Sequence, residues 1–204
     1  MTGWITWAGV SVRADVAAMV DRKADTTGLP RNVLRAFVLA ESGGDPDILG
    51  DGGSSVGLLQ LHERGQGAGM SVAERRDPAR NLAVGVPPIV RAWSATAAWP
   101  YDRARVERVA LTSGHPVENI DTVVVGSNAW EIAMSGAQRI GTRWDALERE
   151  HPSDPEPPPA AAGAMGRTVA NVTTRIGETG AWAREHPLEA AAAMAAGVLI
   201  LLVV

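Results

Sequence analysis

One glutamate stands where a chain rarely places a charge. Val33, Leu34, Phe37, Val38 and Ala40 recur at the intervals of a single helix, Pro30 suits its first turn, and Gly43 with Gly44 stops it just after Glu41. Counting back three and seven residues puts Glu41 on the face of Val38 and Leu34, so its carboxyl is aimed where apolar side chains belong. A carboxylate there loses hydration, which favours the neutral form and raises its pKa. An acid at a helix carboxyl terminus also opposes the macrodipole. A group so placed can protonate a leaving oxygen near neutral pH. The plainer reading is an acid ending a helix in water, and the helix pattern alone weighs the two evenly.

Other patterns in the chain compete less well. Asp45, Asp47, Asp51 and Glu63 follow closely, and a glycosidase of the two-carboxylate type needs a second acid held across the bond. One of these four would position water in a hydrolase, although Asp45 and Asp47 around Pro46 read as turn formers. Gly53-Ser54-Ser55-Val56-Gly57 fits the serine-hydrolase elbow, yet a polar glycine-rich loop precedes it where that elbow needs a buried strand. His62, His115, His151 and His186 are dispersed without ligand spacing, no phosphate loop or dinucleotide fingerprint appears, and neither metal nor cofactor is expected. The absence of cysteine excludes disulfides and thiol catalysis. Trp93, Trp99 and Tyr101 are spaced to stack on pyranose rings, but packing is the commoner use of such residues.

The elements that must hold Glu41 are mostly helical. Val16, Met19 and Val20 predict one helix; Asn81 to Ala98 predict another, interrupted by Pro87 and Pro88. Val106, Val109 and Ala110 predict a third, and Trp130, Ala133, Met134, Ala137 and Ile140 a fourth. Strand-like alternation is confined to Thr122–Val125 and the region from Ser55 to Leu61. The class is mainly α. Residues 1–150 read as one domain, and five prolines between His151 and Pro159 mark a proline-rich linker over 151–162.

Taken in order, Glu41-Ser42-Gly43, then Gly57-Leu58-Leu59-Gln60, then Asp77-Pro78 with Asn81-Leu82-Ala83 resemble the lysozyme-like lytic transglycosylase family, over roughly residues 30–95. In that family the Glu-Ser pair ends a helix, a Gly-x-x-Gln turn lies across the groove, and an asparagine segment starts the next helix. The resemblance implies a lysozyme-like α+β domain with a small β element, and cleavage of the bond between N-acetylmuramic acid and N-acetylglucosamine in peptidoglycan. Glu41 would be the catalytic residue, with Ser42, Gly57, Gln60 and Asn81 around the substrate. Gln60 would bond a sugar amide and Gly57 would let backbone approach the ligand. Ser42 and Asn81 read better as supports of the turn and the loop. Ala110-Leu111-Thr112-Ser113-Gly114 keeps the frame of a cleft-lining segment but carries Leu111 and Thr112 where the family has tyrosine and asparagine. Leu111 cannot donate a hydrogen bond.

Charge and the carboxyl-terminal segment suggest a setting. The chain carries 19 basic and 23 acidic residues, spread evenly, which excludes a strongly basic nucleic-acid binder. Met1–Val20 does not read as a signal peptide, having no basic residue before Arg13 and no long apolar run. Residues 163–204 combine an amphipathic stripe at Met165, Val169, Val172 and Ile176 with an apolar stretch over 188–204. As a helix that stretch would extend about 25 Å, within the lower range for spanning segments. A membrane anchor or a contact with a hydrophobic virion component is therefore expected at 188–204. The combination resembles virion-associated transglycosylases of bacteriophages, membrane- or tail-associated, assembled with other virion proteins and opening the bacterial envelope during genome delivery. A transglycosylase of a bacterial secretion or conjugation system, and a lysozyme-like structural virion protein without catalysis, are the alternatives.

Overall fold

The computed structural model describes residues 3–114 and 125–153. These lie in the first of two compact units, Met1–Glu156; the second, Pro157–Val204, is outside the described residues, and with it the predicted tail and most of the predicted linker. Helices dominate: α1 (Ala14–Thr27), α2 (Arg31–Ser42), α3 (Val72–Arg76), α4 (Pro78–Ala95), α5 (Arg103–Thr112) and α6 (Asn128–Glu150). Two small antiparallel sheets accompany them, one pairing β1 (Trp4–Trp7) with β2 (Val10–Arg13), the other ordering β3 (Leu49–Gly50), β4 (Ser55–Val56) and β5 (Leu61–His62). The fold is mixed and mainly helical.

The apolar run of α2 is wider than one stripe, and a helix apolar on most sides belongs inside. Val33, Leu34, Ala36, Phe37 and Val38 are fully buried, in one core with Val16 and Val20 of α1, Ile89 of α4, Val109 of α5 and Ile140 of α6. Leu58, Leu59 and Leu61 join that core from the three-stranded sheet. Each Val, Leu or Phe side chain withdrawn from water contributes about 1.5–3 kcal/mol. Pro30 stands just before the first turn of α2, and Gly43, at φ 63°, ends the helix by donating its N–H to the Leu39 carbonyl at 3.1 Å.

Polar side chains lock the ends of these helices. Arg105 is buried beneath the carboxyl end of α4, its guanidinium 3.7 Å from the centre of the Trp93 ring and donating to the Trp93 carbonyl at 3.3 Å. A cation there meets both the ring face and the negative end of the helix dipole. At the far end of α6, Glu148 accepts from Asn32 (2.9 Å), the Tyr101 hydroxyl (2.9 Å), and the backbone N–H and hydroxyl of Ser153 (2.8 and 2.6 Å). Tyr101 stands edge-on to Trp93 and Trp144, and burial pushes its hydroxyl up to about 12, so it remains a donor. The chain is thus tied down as far as Ser153.

Three local expectations are corrected. Helix α4 runs through Pro87 and Pro88 without interruption. The carbonyls that lose a donor belong to Ala83 and Val84, which are exposed and half-buried, so water can replace the missing bonds. The Ser55–Leu61 candidate is two short strands and not one: Ser55–Val56 is β4, Leu61 begins β5, and residues 57–60 turn between them. Val125 lies in a turn, while the rest of the Thr122–Val125 candidate is outside the described residues. The β1–β2 hairpin was not expected; it closes on Ala8 and Gly9, both at positive φ (46° and 76°), the two-residue turn that suits strand twist.

The expected membrane association is also corrected. Among the described residues no helix is long and apolar enough to cross a membrane. Helix α6 has 23 residues but carries Glu131, Arg139, Arg143, Asp145, Glu148, Arg149 and Glu150, which a hydrocarbon layer would exclude. Residues 188–204 lie outside the described residues, and among those described no helix supports the expected transmembrane segment, membrane or virion partner, or virion placement.

Burial alone would raise the Glu148 carboxyl, but hydrogen bonds from Ser153, Asn32 and Tyr101 hold it below the ordinary 4.5. A carboxyl depressed on folding adds stability above its unfolded pKa and loses it as pH falls through the folded value. Urea midpoints of the wild type should therefore decline on acidification below pH 4.5, and Glu148→Gln should flatten that limb. Parallel profiles for the two proteins would refute the assignment.

Candidate active site

Glu41 occupies the last turn of α2, half-buried at the point where the enclosed helix emerges from the core. Among the described residues its carboxyl has no hydrogen-bond or ion-pair partner. Burial lifts this carboxyl from the ordinary 4.5 to about 7; Arg139 of α6 opposes the shift and Asp51 adds to it. Protonated and ionised forms therefore coexist near neutrality, the condition for giving up a proton and taking one back.

The chain leaving α2 is folded tightly around the helix end. Ser42 donates its hydroxyl to the Val38 carbonyl at 3.0 Å and accepts the Gly44 N–H at 3.2 Å, so it braces the turn behind Glu41. Gly44, at φ 84°, is in contact with β2: a Cβ on it would stand 2.8 Å from a Val12 methyl. Asp45 accepts the Asp47 N–H at 2.9 Å in an Asx turn. Asp51 sits in the short 3₁₀ turn Asp51–Gly53 between β3 and β4, with φ 49°. Ser55, buried on β4, donates its hydroxyl to Asp51 Oδ2 at 2.5 Å and so fixes the direction of this exposed carboxylate.

Gly57, Gln60 and Asn81 come together across the turn between β4 and β5. Asn81, on α4 and fully buried, donates to the Val56 carbonyl (3.0 Å) and the Arg75 carbonyl (2.7 Å) and accepts the Leu59 N–H (2.9 Å). All three bonds tie loop backbone to the helix. Gly57, at φ 85°, faces this clamp, since a Cβ would fall 2.3 Å from the Arg75 carbonyl oxygen. Its lack of a side chain therefore serves the approach of Arg75 and Asn81. Gln60 donates to the Gly57 carbonyl at 2.9 Å and more weakly to the Ile48 carbonyl at 3.4 Å, and its Oε1 lies against Gly50. The side chain thereby braces β3 against the turn.

Several contributors were not legible from residue type. Arg75 is buried and donates to the Ser54 and Leu61 carbonyls (2.5 and 3.0 Å), joining the start of β4 to β5; nothing in Arg75-Arg76-Asp77 distinguishes it from half-buried Arg76 or exposed Asp77. Arg139 is one of several charges on α6, and only the fold shows that its charge acts on Glu41. Of the aromatic residues weighed for sugar stacking, Trp93 is buried, Tyr101 is held between two tryptophans, and Trp99 is exposed. His62 accepts the Arg64 N–H at 3.2 Å. Among the described residues no three His, Asp or Glu side chains converge where a metal ion would sit.

No family model, no curated protein and no solved structure matches this chain.

Two outcomes follow. An acid raised on folding contributes its full stability below its unfolded pKa and loses it as pH climbs through the folded one. For Glu41 that window runs from 4.5 to about 7, and Glu41→Gln should leave stability unchanged at its acid end while stabilising the protein above it by on the order of 3 kcal/mol. Chemical denaturation across this range measures the difference; a destabilised variant at alkaline pH would refute the shielding. Asn81→Ala should cost about 3 kcal/mol or more, because two carbonyls and one N–H lose their partner where water is excluded. A thermal shift of only a degree or two would contradict the clamp.

Proposed function

We propose that this chain is a peptidoglycan lytic transglycosylase with a lysozyme-like domain. The carrying observation is a single carboxyl, Glu41, half-buried, without a partner among the described residues, at a helix end beside a small antiparallel sheet. Glu41 gives its proton to the glycosidic oxygen between N-acetylmuramic acid and N-acetylglucosamine as the bond to the muramyl C1 breaks. The resulting carboxylate takes the proton of the muramyl 6-hydroxyl, whose oxygen closes on C1 to leave a 1,6-anhydro end. No water is consumed, and Glu41 ends the cycle protonated. Ser42, Gly57, Gln60 and Asn81 serve as positioning residues: they hold the helix end and the sheet turn that would flank the sugar. The different sequence at Leu111 and Thr112 is accommodated without a phenol. Leu111 packs against the core and Thr112 donates to the Arg108 carbonyl at 2.9 Å.

One observation favours a second reading, hydrolysis. The Asp51 carboxylate acts electrostatically on Glu41 and is oriented by Ser55. A second acid so fixed could activate a water against C1, giving a reducing muramic end.

Digestion of purified peptidoglycan by the full chain separates these readings. Anhydromuropeptides support the transglycosylase, reducing ends the hydrolase, and an inert wild type indistinguishable from Glu41→Gln overturns both. For an active enzyme, kcat/KM should fall with rising pH above about 7, where Glu41 loses its proton. Glu41→Gln should lower the rate by on the order of a hundredfold or more.

A further inference from the structure

Helix α6 borders an open cleft of about 440 Å³, lined by Ser135, Gln138, Arg139, Thr142 and Arg143, with Ala40 of α2 and Arg103 of α5. These α6 positions fall at helical spacing on one face. The arginines are not equivalent. Arg103 is committed to Glu107 (2.6 Å) and Asp145 (2.8 Å). Arg139 and Arg143, one turn apart, have no hydrogen-bond or ion-pair partner among the described residues. Like charges at this spacing disfavour a helix; the charge of Arg139 acts on Glu41, but neither arginine forms an ion pair with it or with another described acid. Their forks and the flanking Gln138 amide supply donors to one volume, the chemistry that recognises a carboxylate, while the Thr142 hydroxyl spends its proton on the Gln138 carbonyl at 2.8 Å. Ala40 precedes Glu41 in α2, and the charge of Arg139 acts on the Glu41 carboxyl, which relates this volume to the proton donor.

We infer that this cleft is a carboxylate-binding subsite that engages acidic groups borne by the muramyl residue undergoing cleavage. The inference rests on reading Glu41 as the acid acting on a muramyl glycan. A muramyl residue carries its acidic substituent on the lactyl ether of C3: as carboxylates of a stem peptide where one is attached, or as the lactyl carboxylate itself in a denuded strand. Neutral N-acetylglucosamine polymers carry neither. Arg139 and Arg143 would therefore discriminate muramyl glycans from chitin-like ones and set which sugar lies against Glu41. They are specificity residues, since they touch a substituent and no reacting atom.

The test uses the full chain carrying Glu41→Gln, so that binding is read without turnover. Equilibrium binding is measured for four tetrasaccharides: GlcNAc-MurNAc dimers bearing L-Ala-D-Glu dipeptides, the same with the glutamyl carboxylates amidated, the peptide-free form with free lactyl carboxylates, and chitotetraose. At least one carboxylate ligand should bind about tenfold or more tighter than its neutral counterpart, amidated or chitotetraose. Adding Arg139→Ala and Arg143→Ala should abolish that preference, leave chitotetraose affinity unchanged, and reduce the salt dependence. Preference for the dipeptide form identifies stem carboxylates as the ligand; preference for the peptide-free form identifies the lactyl group. Arg149→Ala, exposed on the same helix, controls for loss of charge elsewhere. Equal affinity for acidic and neutral muramyl ligands overturns the subsite while leaving the glycan reading intact. Binding of none of the four overturns both.

Discussion

A helix enclosed on most of its sides gives its side chains no route to water except at its ends. Helix α2 is such a helix: from Val33 to Leu39 only Arg35 escapes burial. Everything distinctive about Glu41 derives from this enclosure. The same packing that removes Phe37 and Val38 from solvent reaches one turn further and strips hydration from a carboxyl that finds no donor among the described residues. The protein tolerates an acid that weakens it above neutral pH, and tolerance of a local cost is the usual mark of a position kept for chemistry.

The surrounding architecture has the character of a brace. Ser42 and Gly44 fold the chain back against β2, Asn81 and Arg75 fasten the turn of the second sheet to α3 and α4, and Gln60 ties that turn to β3. Polar side chains here spend their hydrogen bonds on loop backbone. That arrangement suits a site in which one group does the proton transfer and its neighbours only keep two walls apart. Asp51 is the exception, a residue of left-handed backbone whose carboxylate is oriented by Ser55 and acts electrostatically on Glu41.

Much of the helical framework can be read directly from residue spacing, because burial imposes a 3.6-residue period on α1, α2, α5 and α6. Glu41 was legible for the same reason: its register is inherited from Leu34 and Val38. The sheets were less so. Strands of two residues are too short to show alternation, and the β1–β2 turn hides behind Ala8, a residue seldom found at positive φ. Pro87 and Pro88 misled because their cost depends on whether the deprived carbonyls are wet, a property of packing and not of residue type. Side chains acting through distant partners, such as Arg139 on Glu41, carry no local signature at all.

The closing bonds of the domain join residues from its two extremes. The Glu150 carboxylate accepts the Ala8 N–H at 2.6 Å, and Asn32 donates to the His151 carbonyl at 2.7 Å, linking positions separated by 142 and 119 residues. Contacts of such long sequence separation form only after a large loop has closed, which slows folding more than it lowers stability. During synthesis α2 must wait for α6 before its exposed apolar faces are covered. A nascent chain halted before residue 128 would lack α6, the last described helix to leave the ribosome, and would leave the core face of α2 without that cover.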